Sequence, residues 1–364
     1  MDVCLLSSQP WGEVHRTNRH HVAETLAGIG HRVLFVEPVY GPRPRLGQAG
    51  DRLWFARAGR LLPANRPRLV HRINLRHAER NLLRACRSWM GSLGFSRPVF
   101  WTYRALAPEF LSGLDGDPLL FDYVDHDHAM GVEGGAVPPL PDALASTFDR
   151  AVLVVTSNDI LRGDLARWPN VRTAENVGAI EPFLPSGGDG VLPDTPPRIL
   201  FAGALDLRKI DGVLVETLVR RSGGRYRWLF LGRIEGHPGY WRRLARHSGV
   251  EIRPPVPLAD VAPLARGAHR LVFPYARNAY TRTCFPLKFF EYLATGRPVV
   301  GAPLPALAPY ERFYLACEGP EAWLRALEEE PAVPARERIA EARRHTYRAR
   351  VGRILDLLDC EGIS

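Results

Sequence analysis

Short runs of β-branched, aromatic and aliphatic residues alternate with amphipathic stretches along the whole chain, the pattern of parallel strands wrapped by helices. In the first half, residues 2–8 (DVCLLSS) read as a buried strand and Thr17–Ile29 as a helix stopped by Gly30. A second strand follows at 32–38 (RVLFVEP), then an arginine-rich helix near 71–91 and apolar runs at 98–103, 119–125 and 151–157, with Asn158 placed to cap the next helix. Residues 181–197 (EPFLPSGGDGVLPDTPP) have no periodicity and are crowded with Pro, Gly and Asp, as expected of a linker. The alternation then resumes with strands at 198–203, 227–233, 250–256, 270–276 and 298–304, and with helices from about Ile210 and over 287–295. In the tail, Val351, Ile354, Leu355, Leu357 and Leu358 recur at helical spacing with no strand after them. The expected architecture is α/β: Rossmann-like doubly wound lobes at 1–180 and 198–334 facing a central cleft, a linker at 181–197, and a helical tail at 335–364 crossing back onto the first lobe.

A length of 364 residues suits two domains, and an apolar fraction of 46% is that of a globular protein. No stretch approaches the roughly 18 consecutive apolar residues of a membrane span. The opening MDVCLLSSQPWGEV lacks a basic segment and a long apolar core, so no signal peptide is expected. Five scattered cysteines without a C-x-x-C pair argue against a disulfide framework or a zinc knuckle and fit a reducing cytoplasm. The net charge of +9 is uneven, because residues 41–100 hold thirteen arginines against only Asp51 and Glu79. That excess in the region 43–97 offers a peripheral contact with anionic membrane, on the inner face, or simply a solvated basic face. The helix near 71–91 mixes arginines with Ile73, Leu75, Leu82, Leu83, Trp89 and Met90, and packing on its own sheet is the simpler reading of that pattern. No nucleic-acid-binding motif accompanies the charge.

Of the 48 basic residues only Lys209 and Lys288 are lysines, which suggests that a compact ammonium is needed at those two places. Ligands of doubly wound sheets bind beyond the carboxyl ends of the strands. The turn after the first strand lacks G-x-G-x-x-G, so hydride chemistry on a dinucleotide has no support. After strand 198–203, ALDLRKIDG places Arg208 and Lys209 ahead of a helix, a combination suited to an anion. After strand 270–276, RNAYTRTCFPLK supplies Asn278, Thr281 and Thr283 ahead of Pro286, Leu287 and Lys288 at a helix start, and Glu291 lies one turn on from Lys288. Residues three apart share a helical face, so an ammonium for phosphate and a carboxylate for a ribose diol would be presented together; an ordinary intrahelical ion pair reads the same. In the first half Asp122, Asp125, His126, Asp127 and His128 follow a strand, where a histidine or aspartate could polarise an acceptor hydroxyl. Asp125-His126-Asp127 matches a loose D-x-D metal pattern, but no full ligand set accompanies it and no metal is expected.

The segment RNAYTRTCFPLKFFEYLATGRPVVGAPLP resembles the donor-binding stretch of retaining GT-B glycosyltransferases of the group 1 superfamily, especially bacterial teichuronic-acid-type members with a P-L-K-x-x-E-Y-x-A-x-G-x-P-V-V pattern. FAGALDLRKID, TNRHHVAETLAGIGHRVLFVEP and FDYVDHDH are similar to family segments in the same order. The resemblance implies a GT-B fold and transfer of a sugar, with retention, from a nucleotide diphosphate sugar to a hydroxyl or amine of a polysaccharide, lipid-linked or natural-product acceptor. UDP-sugars are favoured over GDP- or dTDP-sugars, and no further cofactor is required. It implies donor contacts from Gly203, Arg208, Lys209, Gly232, Arg233, Asn278, Thr281, Thr283, Pro286, Leu287, Lys288 and Glu291, with Glu291 on the ribose and the two lysines on the diphosphate. Lys209, Lys288, His126 and Asp125 are the candidate catalytic groups, and Gly12, His15, Arg16, Arg19 and His128 the candidate acceptor contacts. Where many relatives have an arginine after the glycine and a glutamate eight residues before the ribose glutamate, this chain has Ala204 and Thr283, leaving Arg208 or Arg233 for the diphosphate. A nucleotide-sugar epimerase on the same fold, or a non-catalytic module binding anionic lipid or nucleic acid, are the alternatives.

Overall fold

The computed structural model describes residues 1–14, 16–41, 43–59, 61–62, 68–130, 132, 137–185 and 195–363. The chain divides into two compact units, the first made of residues 1–124, 139–175 and 350–364, the second of 125–138 and 176–349.

The first unit is built on an eight-stranded sheet whose strands are β1 (Asp2–Leu6), β2 (Arg32–Gly41), β3 (Arg45–Gly50), β4 (Leu53–Gly59), β5 (Val99–Thr102), β6 (Leu119–Tyr123), β7 (Leu153–Thr156) and β8 (Val171–Thr173). Their spatial order is β3-β4-β2-β1-β5-β6-β7-β8, parallel except for the β3–β4 pair. Strands β1, β5, β6 and β7 are buried at every position, as apolar runs covered on both faces must be. The helix Asn18–Gly28 starts where expected. Thr17 N donates to His20 Nδ1 at 3.3 Å, and Gly30 takes a φ of 102° that ends it. Asn158 caps the helix Asp159–Asp164 by accepting from Leu161 N. The β3–β4 hairpin has no counterpart in the sequence reading, because β3 is exposed at five of its six positions and carries no apolar alternation. The helix Arg68–Ser92 turns Ala78, Leu82, Leu83, Cys86 and Met90 inward, so packing on the sheet is what its apolar stripe does.

The second unit has a six-stranded parallel sheet of β9 (Arg198–Ala202), β10 (Arg227–Leu231), β11 (Val250–Arg253), β12 (Arg270–Phe273), β13 (Val299–Gly301) and β14 (Leu315–Ala316), in the order β11-β10-β9-β12-β13-β14. Chain order reverses direction between β9 and β12, the kind of switch point beyond which ligands bind. Gly223, at φ 58°, closes the helix Gly212–Ser222, whose N-cap Asp211 accepts from Leu214 N. The helices Pro238–Leu244, Leu258–Arg266 and Gly319–Ala326 complete the wrapping.

The tail differs from the single helix expected. It forms Ala335–Ala342, which stays with the second unit, and Tyr347–Cys360, whose residues from Arg350 onward belong to the first. The segment 125–138 also departs from expectation by belonging to the second unit although it follows β6 of the first. Residues 181–183 form a short 3-10 turn in the second unit, and most of the expected linker, 186–194, lies outside the described residues.

Candidate active site

Close backbone approach at the carboxyl ends of β9 and β10 shapes the site in the second unit. Gly232 has φ 159°, and a Cβ there would sit 1.8 Å from the Gly203 carbonyl oxygen, so only glycine fits. Gly203 itself has φ 146°, and a Cβ on it would lie 2.5 Å from Lys288 Nζ. The two glycines thereby open the space into which the ammonium is laid.

Lys288 is the first residue of the helix Lys288–Ala294, after a turn in which Phe289 N donates to Pro286 O at 3.0 Å. Its Nζ donates to Tyr275 Oη at 3.1 Å and lies 4.2 Å from the centre of the Phe201 ring. Burial, with help from the Lys209 charge, pushes its pKa down to about 7. Lys209 rests 4.8 Å from the centre of the Tyr280 ring. One turn beyond Lys288, Glu291 accepts from Ala179 N at 3.4 Å, and burial raises its pKa to about 7 although Ala179 and Lys288 both oppose the shift. Gly178 lets this happen, since a Cβ there would come within 3.0 Å of Glu291 Cγ. The helix is held against β9 by Tyr292, whose hydroxyl accepts from Ala202 N at 2.9 Å.

Other residues singled out from the sequence are engaged elsewhere in their own loop. Asn278 caps the helix Ala279–Thr283 by accepting from Thr281 N, and its Nδ2 donates to Arg208 O at 2.8 Å. Thr281 Oγ1 donates to Ala276 O at 2.6 Å, and Thr283 Oγ1 to Tyr280 O at 3.3 Å. These side chains shape the loop that carries Lys288. Pro286 is buried and Leu287 half-buried ahead of it. Arg208 is clamped on the buried Asp206 at 2.7 Å, and Arg233 pairs with Glu235 at 3.1 Å, so both guanidiniums already have carboxylate partners. Asp206, Tyr275, Gly178 and Tyr292 were not identified from sequence; Gly178 and Tyr292 have partners far off in the chain, Glu291 and Ala202, whereas Asp206 and Tyr275 meet Arg208 and Lys288 at 2 and 13 positions.

Asp125, His126 and His128 belong to the second unit rather than the first lobe. The short 3-10 turn Asp127–Ala129 contains His128, and the Asp125 charge adds to burial in pushing up the Tyr275 and Tyr280 hydroxyls and the Cys284 thiol, the last to about 12. Asp125 is therefore near the loop that carries Lys288. His126 is buried with its ring centre 5.2 Å from that of His128, whose Nε2 donates to Pro138 O at 3.3 Å. Among the described residues no three His, Cys, Asp or Glu side chains are grouped to hold a metal ion.

In the first unit, Gly12 lies in an exposed turn, Arg16 pairs with Glu24 at 3.0 Å and stacks over Trp11, and Arg19 stacks over Tyr103. His20 is fully buried and donates from Nε2 to Pro10 O at 2.8 Å; burial, with the Arg16 and Arg19 charges, drives its pKa to about 4, so it is a neutral structural residue. His15 lies outside the described residues. Asp122 accepts two hydrogen bonds from Arg350, at 2.7 and 2.8 Å, with both side chains fully buried, and is thus a structural anchor and not an acceptor contact.

Residues 196–331 match the model of the family described as glycosyl transferases group 1. TuaH of Bacillus subtilis strain 168, assigned to teichuronic acid biosynthesis as a glycosyltransferase, is 36% identical over 81 residues, which is 21% of this chain and 20% of that protein. The aligned stretch thus spans about a fifth of this curated relative. Among solved structures, sucrose-phosphate synthase from Thermosynechococcus elongatus superposes with a TM-score of 0.72 over 98% of both chains at 18% identity. The Anabaena protein HepE, solved in complex with UDP and glucose, superposes at 0.63 over 99% of this chain and 100% of its own at 13% identity. Residues 196–331 thus match the group 1 glycosyltransferase family, and the chain has the GT-B fold.

Proposed function

We propose that the chain transfers a sugar from a nucleoside diphosphate sugar, UDP-linked by preference, to an acceptor hydroxyl or amine, with retention at the anomeric carbon. The observation that carries this reading is the juxtaposition of Lys288 and Glu291 one turn apart, beyond a glycine-lined opening at the switch point of a sheet matched to group 1 glycosyltransferases. Binding of UDP and glucose by HepE supports the nucleotide class.

In this reading Lys288 and Lys209 stand opposite the diphosphate, and Glu291 accepts from the ribose diol. The bond between the anomeric carbon and the diphosphate oxygen breaks with its electron pair staying on the oxygen, the acceptor oxygen or nitrogen bonds the carbon, and the acceptor's proton passes to the leaving diphosphate. Preorganised cations stabilise the charge that grows on the leaving diphosphate, where such groups contribute most to the rate. A lysine poised near pKa 7 is suited to this role, because an arriving diphosphate raises its pKa and fixes the proton. Asp125, near the same loop, is the candidate to polarise the acceptor, with His126 beside it.

The test is calorimetry of UDP, GDP and dTDP with the wild type and Lys288→Ala, followed by a transfer assay with the sugar of the base that binds. Tight, Lys288-dependent binding of one base is expected. Failure of all three nucleotides to bind the folded protein overturns the reading.

A further inference from the structure

The loop between β9 and the helix Gly212–Ser222 is organised around Asp206, whose side chain is fully buried. Its Oδ1 accepts from Arg208 N at 3.0 Å and from Arg208 Nε at 2.9 Å, and its Oδ2 accepts from Arg208 Nη2 at 2.7 Å. Its backbone carbonyl accepts from Lys209 N at 3.0 Å and from Ile210 N at 2.9 Å. Donors from three consecutive residues thus converge on one aspartate and close the chain into a turn that carries Lys209. Burial works to raise the Asp206 pKa, but the hydrogen bonds and charge of Arg208, with the Lys209 charge behind them, hold it below its ordinary value. A buried carboxylate is costly to keep, and the next helix does not need it, because Asp211 already caps that helix by accepting from Leu214 N at 2.9 Å.

The turn is fastened on both sides. Toward β10, Leu205 N donates to Arg233 O at 2.8 Å and Glu235 N to Leu205 O at 3.0 Å, and the Glu235 carboxylate stands 3.9 Å from Arg208 and 3.1 Å from Arg233. Toward β12, Ala276 N donates to Lys209 O at 2.8 Å, Asn278 Nδ2 to Arg208 O at 2.8 Å and Asp211 N to Pro274 O at 2.9 Å. Ile210 forms an isolated antiparallel bridge with Tyr275, whose hydroxyl accepts from Lys288 Nζ at 3.1 Å. The turn that Asp206 closes therefore reaches both lysines: Lys209 lies in it, and the residue that holds Lys288 is paired to it.

We infer that Asp206 is a positioning residue for the transfer reaction: its turn sets Lys209 against the diphosphate and, through Ile210 and Tyr275, fixes the seat of Lys288, while Arg208 serves as its strut and not as a diphosphate ligand. The inference rests on the reading of the second unit as a site for a nucleoside diphosphate sugar. Arg208 is committed by geometry, since swinging it to a phosphate strands the Asp206 carboxylate out of water. The two lysines are left to meet the leaving group. Preorganised cations act on developing charge only where the turn that carries them is held in place.

The experiment compares the full chain with Asp206→Ala, Asp206→Asn, Arg208→Ala and Asp206→Ala/Arg208→Ala. Calorimetry with UDP, GDP and dTDP reads nucleotide affinity, and steady-state kinetics with the glucose esters of those nucleotides read kcat and KM through release of the nucleoside diphosphate. Asp206→Ala is expected to lower kcat by roughly 100-fold, the effect of a misplacement of about 1 Å, with KM and nucleotide affinity changed by no more than about threefold. Asp206→Asn keeps the acceptor for Arg208 N and should recover about tenfold of that loss. Arg208→Ala should match Asp206→Ala, and the double variant should be no worse than either, since the two side chains act as a unit. The double variant strands no buried charge, so its melting temperature should stay near that of the wild type and separate lost positioning from lost folding. Wild-type kinetics in Asp206→Ala and in the double variant overturn the inference. So does a loss of nucleotide affinity in Arg208→Ala larger than in Asp206→Ala, or tighter binding by Asp206→Asn, because either outcome makes Arg208 a diphosphate ligand. A wild type that binds none of the three nucleotides overturns the functional reading itself, and this inference with it.

Discussion

Each unit holds a cation and a carboxylate near the carboxyl end of its central strands, fully buried in the first and half-buried in the second, and the two pairs are handled in opposite ways. In the first unit Arg350 meets Asp122 in a two-point contact with both side chains fully buried, and the neighbouring Tyr103 hydroxyl is held well above its ordinary pKa by burial and by the Asp122 charge. In the second, Lys288 and Glu291 have no such mutual clasp. The ammonium has Tyr275 and the carboxylate has Ala179 N, and both groups are driven to about pH 7 from opposite sides. A buried charge whose partner satisfies it geometrically is architecture. Two half-satisfied charges, kept near neutrality on one helical face, hold electrostatic energy that an incoming ligand can release.

The largest expected effect comes from breaking the architectural pair. Arg350→Met strands a buried carboxylate and should destabilise the protein by about 3–5 kcal/mol, read as a lowered urea midpoint. Asp122→Leu combined with Arg350→Met removes both charges and should recover most of that loss. If the double variant is no better than the single one, the pair is doing something other than holding the last helix to the sheet.

Lys288→Met sharpens the contrast by reversing the sign. Transfer should fall by roughly 100–1,000-fold, the range for losing one preorganised electrostatic group. Stability should rise instead, on the order of 2 kcal/mol, because the desolvation cost borne by the half-buried ammonium is removed. The folded pKa of Lys288 lies below its unfolded value, so the wild type gains stability as pH rises from about 7 toward 10.5. The advantage of the variant is therefore greatest at or below neutrality and fades in alkali, which thermal melts at several pH values will reveal.

This contrast was half legible in the sequence. The strand runs, the Asn158 cap, the stop at Gly30 and the spacing of Lys288 and Glu291 are local, and local pattern exposes them. Asp122 and Arg350 stand 228 positions apart, and nothing in either neighbourhood announces the other. The same distance problem hid the role of Gly178, which meets Glu291. Asn278 and Thr281 admit a second reading for a different reason. Short polar side chains that suit a ligand suit a helix cap equally well, and the backbone claimed them. The β3–β4 hairpin escaped notice because its outer strand faces solvent nearly throughout and lacks the alternation that betrays a half-buried strand.

The smallest and sharpest prediction concerns pH. If Glu291 accepts from a ribose diol it must be ionised, so nucleotide affinity should fall as pH drops below about 7, where its carboxyl gains a proton. If Lys288 faces the diphosphate it must be protonated, so affinity should also fall as pH climbs above about 7. Titrations of UDP-glucose, whose doubly esterified diphosphate does not itself titrate in this range, between about pH 5.5 and 8.5 should therefore give a bell centred near neutrality. Glu291→Gln keeps the shape and removes the titrating group, weakening binding by about tenfold, the worth of one charge-assisted hydrogen bond over a neutral one. The acid limb of the bell should vanish. The alkaline limb should remain but move to lower pH, because the Glu291 charge is one of the forces holding the Lys288 pKa up. An acid limb that survives in Glu291→Gln would assign it to another group and take the ribose away from Glu291. An alkaline limb that fails to move would show that the two charges, one turn apart on the same helix, do not feel each other.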